Sequence, residues 1–372
     1  MADLPRHIAL VYDRVNKWGG AERVLLALHE LFPDAPLYTA VYNSTTAGWA
    51  QVFPEVIPSF LQKFPGAKNH HELYPWLTPM AFESLDFSNF DAVISVTSAD
   101  AKGIITKPST FHLCYCLTPT RYLWSHSESY RKELGVVGKL ADPVFNYLKK
   151  WDQIAAARPD AYISISKTVQ DRVNKYYARQ SEIVYPPIDV EFYARPAPKP
   201  ALENFFLYVG RLVAYKQVKI LVDVFNDLQL PLAIIGEGAL ESRLKQIAKA
   251  NIYFLGNLID SELAGYYQHA QALLFYHEED FGIVPVEAMA AGTPIIGLGR
   301  GGLTETVIHG RTGHLVQNVD ELKNTIINFN KLSFDASSIH NQAQNFSQEL
   351  FKTEFAKVFS REWTQYKHTL MS

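Results

Sequence analysis

The stretch from His277 to Val307 constrains this chain more than any other. It follows an apolar run, Ala272–Tyr276, that reads as a strand buried on both faces, as strands of a parallel sheet are. Three acidic residues come next, Glu278, Glu279 and Asp280, and then Phe281–Gly282–Ile283. Pro285 opens a helix through Ala291; Gly292 stops it and Pro294 keeps it from resuming. Proline suits a first turn, where its missing N–H would have no intrahelical partner, and glycine suits the residue past a last turn. A second strand, Pro294–Leu298, leads into the glycine turn Gly299–Gly302 and a short helix from Leu303.

That layout suits a phosphate. Amides at a helix start point outward without intrahelical acceptors, and the helix dipole adds partial positive charge there. The amides of Phe281, Gly282 and Ile283 fall at this start, and Gly282 has no side chain to block a ligand. Glu287 falls about one turn into the helix, where it can accept hydrogen bonds from a diol such as a ribose. Glu279 precedes the helix, near where a sugar on a diphosphate would lie. An ionised carboxylate only accepts hydrogen bonds, so it suits hydroxyls and repels phosphate. The alternative is an acidic loop capping an ordinary α/β helix.

A second cluster of the same kind lies upstream. Phe205–Val209 reads as a strand with Gly210–Arg211 as its turn, and Lys216 precedes an apolar helix, Ile220–Leu228. Arg211 and Lys216 would place two cations at a strand's carboxyl end, where ligands of open parallel sheets gather. Arginine meets phosphate with a planar fork and lysine with a compact point charge. Strand Leu232–Ile235 runs into Gly236–Gly238, and Tyr253–Leu255 into Gly256–Asn257–Leu258. Near the start, His7–Tyr12 is a strand, Gly19–Gly20 a turn and Ala21–Phe32 a helix, another place where amides can meet an anion. Phe111–Leu117 is a strand that runs into a proline turn, so Thr118 and Arg121 also stand at a carboxyl end.

The 372 residues allow about two domains. Five prolines between 186 and 204 mark the boundary, an extended and semi-rigid stretch. The expected division is 1–188, a linker at 189–204, 205–350, and a final helix in 351–372. A net charge of −3 gives no basis for nucleic-acid affinity of the whole molecule. Cys114 and Cys116 lie on one strand face and read as buried thiols, in accord with a reducing cytoplasm. No apolar run reaches membrane-spanning length, and Ile8–Tyr12 is too short for a signal peptide. Any membrane contact is therefore expected to be peripheral, at the inner face. Residues 59–85 mix aromatics with Lys63, Lys68, His70 and His71. They suit either an acceptor loop or lipid-resting surface, or a helix pair packed on the sheet.

Glu279 and Glu287 form a Glu-x7-Glu pair around Phe-Gly, followed by AMAAGTP and a GG-x-x-E turn at Gly301, Gly302 and Glu305. This resembles the signature of the retaining nucleotide-sugar glycosyltransferases of family 4. GRLVAYK (210–216), GGAER (19–23), FLQKFPGAK, AFESLDFSNFDAVIS and SISKTVQDRV extend the resemblance over about residues 7–366. The strand and turn TFHLCYCLTPTRYLW is similar to the branch of mannosyltransferases that build O-antigens and other bacterial polysaccharides.

The resemblance implies the α/β GT-B fold: two Rossmann-like parallel-sheet domains facing across a cleft, with the last helix crossing back to the first domain. It implies that Arg211 and Lys216 hold the donor diphosphate and stabilise it as it leaves. Glu279 orients the sugar, and Gly210, Gly236, Asn257 and Leu258 line the nucleotide. Gly19 and Gly20 face the diphosphate from the other domain, and Thr118 and Arg121 stand on the acceptor side. Many relatives carry a histidine two residues before the proline of that turn, against the transferred sugar; Leu117 stands there here. His112 alternates to the other side of its strand and is a poor replacement.

The expected reaction is retaining hexosyl transfer from a nucleoside-diphosphate sugar, first GDP-mannose, to a glycan or lipid-linked glycan, without metal or other cofactor. Transfer from a UDP-sugar is the alternative within the family. A nucleotide-sugar epimerase and a non-catalytic sugar-nucleotide scaffold are the alternatives outside it, since fold alone does not separate them.

Overall fold

A computed structural model describes residues 4–125, 127 and 142–371. The chain divides into two compact units, Met1–Pro186 with Phe351–Ser372, and Pro187–Leu350. Each is built on its own parallel sheet.

The first unit contains β1 (Ile8–Tyr12), β2 (Leu37–Thr39), β3 (Val56–Pro58), β4 (Ala92–Thr97), β5 (Phe111–Cys116), β6 (Ala161–Ser164) and β7 (Glu182–Ile183). The spatial order is β3-β2-β1-β4-β5-β6-β7, and every recorded pairing is parallel. All residues of β4 and β5 are buried, which is why they read as unbroken apolar runs rather than as alternation. Cys114 and Cys116 are buried free thiols, and burial pushes the Cys114 thiol up to about 12. His112 is buried beside them, 2.8 Å from Ser95 Oγ on β4.

The sheet reverses its order between β1 and β4. Asp13, just past β1, closes this point. Its carboxylate accepts from Thr97 Oγ1 (2.8 Å) and from the amides of Ser98, Asp100 and Ala101 at 2.7, 3.0 and 2.9 Å. Past β4 and β5, Lys102 Nζ lies 2.6 Å from Asp152 Oδ1 in a fully buried ion pair. Thr120 Oγ1 and Trp124 Nε1 also donate to that carboxylate, at 2.8 and 2.7 Å. The proline turn after β5 is thus tied to the helix Asp142–Ala156.

Residues 59–85 form short helical pieces. Leu61, Ala67, Ala81 and Phe82 pack with Ala9, Val11 and Val93 in one core, while Leu73 and Trp76 stay exposed. The last helix, Gln348–Met371, buries Phe351, Phe355, Phe359 and Trp363 at helical spacing. They meet Tyr115, Phe32 and Phe111, so from Phe351 onward the helix belongs to the first unit, as expected.

The second unit contains β8 (Phe206–Val209), β9 (Leu232–Ile235), β10 (Ile252–Gly256), β11 (Leu273–Phe275), β12 (Ile295–Leu298) and β13 (Gly313–Val316). Their order, β10-β9-β8-β11-β12-β13, repeats the pattern of the first sheet, and again every pairing is parallel. This is the doubly wound Rossmann order, whose reversal here falls between β8 and β11. The expected pair of Rossmann-like sheets is present. The stretch 189–204, expected as a linker, is packed onto the second unit instead. Asp189 caps the short helix Val190–Ala194, Val190 and Tyr193 are buried, and Gln268 bonds the carbonyls of Tyr193 and Arg195. Proline richness marked an irregular backbone; it carried no information about what that backbone rests on.

Candidate active site

In a doubly wound sheet, the turns after the two strands flanking the reversal diverge and leave a crevice. In the second unit those turns follow β8 and β11. The first carries Gly210, Arg211 and Lys216; the second carries His277 to Gly282. Lys216 sits in a single 3-10 turn, Ala214–Lys216, and the main helix Val218–Leu228 starts just after it.

The two turns meet at an ion pair. Lys216 Nζ is 3.0 Å from Glu279 Oε1, and both side chains are mostly enclosed, 12% and 17% exposed. His277 Nε2 lies 3.3 Å from the same oxygen. Burial lowers the His277 imidazole from its ordinary value, so the ring is neutral near pH 7. Arg211 is exposed and donates from Nη2 to Tyr215 Oη at 3.0 Å. Tyr208 Oη reaches back from β8 to the Arg211 carbonyl at 3.3 Å. Gly210 and Gly236 follow neighbouring strands; Gly210 N donates to Ile235 O at 3.0 Å, and Gly236 N to Gly256 O at 2.7 Å. Asn257 and Leu258 continue past β10, the former exposed and the latter half-buried.

Gly282 precedes the helix Ile283–Ala290 at φ 88°, with no side-chain cap on the helix start. The amides expected to face a phosphate therefore carry no capping side chain. Phe281, by contrast, turns inward; it is buried against Phe346 with ring centroids 5.5 Å apart. The glycine turn after β12 explains the height of this loop. Gly302 N donates to Glu279 O at 2.9 Å. A methyl group on Gly302 would come within 2.6 Å of Phe281 O and 2.7 Å of Asp280 O, and one on Gly301 within 2.5 Å of Glu279 O. Both glycines let one turn lie directly under the other.

Glu287 is buried, and its Oε2 accepts from Tyr267 Oη at 2.9 Å. One carboxylate oxygen thus links two helices of the unit, Asp260–His269 and Ile283–Ala290. In the first unit, Gly19 and Gly20 open the helix Gly20–Leu31 without a side-chain cap. Glu22 is buried in its first turn and accepts from Tyr12 Oη at 2.9 Å; burial raises its pKa. That helix start therefore carries a carboxyl group of its own. Thr118 is buried at the end of β5 with no hydrogen-bond partner on Oγ1, and Arg121 is half-buried in the following turn. His112 is held low, to about 3, by burial; it bonds Ser95 within the sheet.

The structure thus brings Lys216, Glu279, Gly282 and the Gly301–Gly302 turn to one sheet edge, with Arg211 on its exposed side. His277, Tyr267 and Asp13 were not singled out from sequence as site residues. For His277 a signal was available: alternation past β11 puts 275, 277 and 279 on one side. Tyr267 and Asp13 act through partners distant in sequence and carry no local mark.

Residues 189–347 match the family profile described as glycosyl transferases group 1. The D-rhamnosyltransferase WbpZ of Pseudomonas aeruginosa is 31% identical over 208 residues, covering 51% of this chain and 52% of that one. The O-antigen chain mannosyltransferase RfbU of Salmonella typhimurium is 29% identical over 164 residues, 41% of this chain and 45% of that one. The chain thus spans about half the length of the curated relatives it matches. Among solved structures, HepE of Anabaena in complex with UDP and glucose superposes with a TM-score of 0.70 at 19% identity, covering 96% of this chain and 100% of that one. The fold is shared with HepE, and residues 189–347 are similar to the glycosyl transferases group 1.

Proposed function

We propose that the chain is a retaining, metal-independent glycosyltransferase that moves a hexose from a nucleoside-diphosphate sugar to a glycan or lipid-linked glycan in cell-surface polysaccharide synthesis. The observation that carries this reading is the meeting of Lys216 with Glu279 at 3.0 Å beside the uncapped helix start at Gly282. Cation and helix amides suit a diphosphate, and the carboxylate suits sugar hydroxyls.

Transfer needs charge stabilised on the departing diphosphate. Lys216, Arg211 and the amides from Phe281 to Ile283 supply it as fixed groups, the form of electrostatic help that costs no reorganisation during reaction. The bond from the anomeric carbon to the phosphate oxygen breaks as the bond to the acceptor oxygen forms on the same face. The acceptor's proton passes to the departing phosphate oxygen. Glu279 orients the sugar and does not attack it. Glu287 is assigned to the ribose, and Gly236, Asn257 and Leu258 to the nucleotide. Thr118 and Arg121 stand at the edge of the first sheet, where the acceptor is assigned.

GDP-mannose is the first donor, on the similarity to the mannosyltransferase. A UDP-hexose is the second reading, favoured by the UDP and glucose held by HepE. No helix among the described residues is long and apolar enough to cross a membrane. Leu73, Trp76, Lys63 and Lys68, all exposed within residues 59–85, support peripheral contact with the inner face of the cell membrane. The reading is tested by proton NMR of the product made from an α-linked donor. Retention gives an α-linked product; a β-linked product overturns it.

A further inference from the structure

Glu279 has a neighbour that the reaction as described does not use. His277 stands two residues before it, just past β11, and is completely buried. Its ring rests against Phe275 with centroids 4.1 Å apart. Nε2 is 3.3 Å from Glu279 Oε1, the oxygen that pairs with Lys216 Nζ. Neither ring nitrogen has an aligned hydrogen-bond partner. Leaving a buried donor unsatisfied costs free energy, so an imidazole in this position needs a reason. Beside a carboxylate, a neutral imidazole favours its proton on the facing nitrogen, here Nε2, because a lone pair there would face negative charge.

The two neighbours of Glu279 differ in what a donor does to them. A diphosphate draws Lys216 away, since two phosphate groups carry more charge than one carboxylate. His277 is neutral and has no reason to follow. A small turn of the carboxylate converts the 3.3 Å contact into an aligned hydrogen bond, and such bonds tighten as a site assembles.

We propose that His277 is the positioning residue for Glu279: as the diphosphate engages Lys216, the carboxylate turns onto the Nε2–H of His277, and this bond aims its other oxygen at the sugar. The assignment rests on the donor site described above. It adds a device for passing Glu279 from a cation to a neutral donor, so that the sugar meets a carboxylate that is fixed but not neutralised.

The test compares His277→Asn, too short to reach Glu279, with His277→Gln, whose amide reaches as far as Nε2, each with and without Glu279→Ala. Turnover is read as nucleoside-diphosphate release from GDP- and UDP-sugars. The expected result is a loss of about 10- to 100-fold in kcat for His277→Asn, with donor KM within about twofold. His277→Gln should recover most of that loss, and His277→Asn should add nothing in the Glu279→Ala background. Unchanged kcat in His277→Asn, or an equal loss without Glu279, overturns the proposal. In parallel, nitrogen NMR of 15N-histidine-labelled wild type is recorded before and after adding GDP or UDP. The Nε2–H tautomer is expected throughout; an Nδ1–H tautomer overturns the proposal whether or not any donor turns over. If the wild type releases no diphosphate, the transferase reading fails, and the tautomer decides the placement of His277 by itself.

Discussion

At the scale of single residues, Lys216 is where the account is most exposed. It pairs with Glu279, and the proposed reaction also asks it to be the cation for the leaving group. Lys216→Ala should raise the barrier by about 2.7–4 kcal/mol, a loss of roughly 10²–10³ in kcat, by analogy with deleted oxyanion donors. Steady-state turnover of a purified variant with an unchanged melting temperature checks this. A second residue-scale prediction concerns acid stability. His112 titrates at about 3 in the fold, against an ordinary value of 6.5. Between those values the unfolded chain binds the proton and the folded one does not. His112 therefore makes stability fall as pH drops from 6.5 towards about 3, by at most roughly 1.4 kcal/mol per pH unit. Above 6.5 it has no such effect. His112→Gln should flatten that limb relative to wild type in urea unfolding across the window. Both residues were visible in the sequence, but only the cation at a strand's carboxyl end announced its chemistry. The neutrality of His112 depends on burial, which a single strand does not reveal.

At the scale of elements, the site is one glycine turn laid under another. Gly302 abuts the backbone of Asp280 and Phe281, whereas nothing lies within 4 Å of a methyl group placed on Gly48. Gly302→Ala should cost about 1–3 kcal/mol through overpacking and displace the start of the helix Ile283–Ala290. Gly48→Ala should stay within about 0.5 kcal/mol of wild type. Chemical unfolding of both variants, with GDP or UDP titration calorimetry, separates a packing effect from a binding one. These elements were legible in the sequence because their signals are local: apolar runs for strands, Pro285 and Gly292 bounding a helix, paired glycines for a turn. What the glycines press against was not legible, since the contact spans about twenty residues and depends on β11 and β12 being neighbours. The stretch 189–204 failed for the same reason. Its prolines told of irregular backbone, and its buried Val190 and Tyr193 tell of packing.

At the scale of the whole molecule, two sheets of the same order divide the chain, and its last helix belongs with its beginning. Phe351, Phe355, Phe359 and Trp363 fill the first unit's flank. Each buried aromatic of this kind contributes about 1.5–3 kcal/mol or more, so a chain ending at Leu350 should lose the first unit's stability while keeping the second unit's core. Limited proteolysis with mass mapping should then cut within the first 186 residues and spare 187–350. The helix's apolar spacing was plain in the sequence, whereas its destination rested on family resemblance alone. Nucleoside-diphosphate release from a panel of GDP- and UDP-sugars, in the presence of chelator and a glycan acceptor, tests the central claim most directly. The account predicts that one donor turns over with chelator present and that Lys216→Ala abolishes most of that release. Turnover that requires a divalent cation, or that survives Lys216→Ala undiminished, would contradict it.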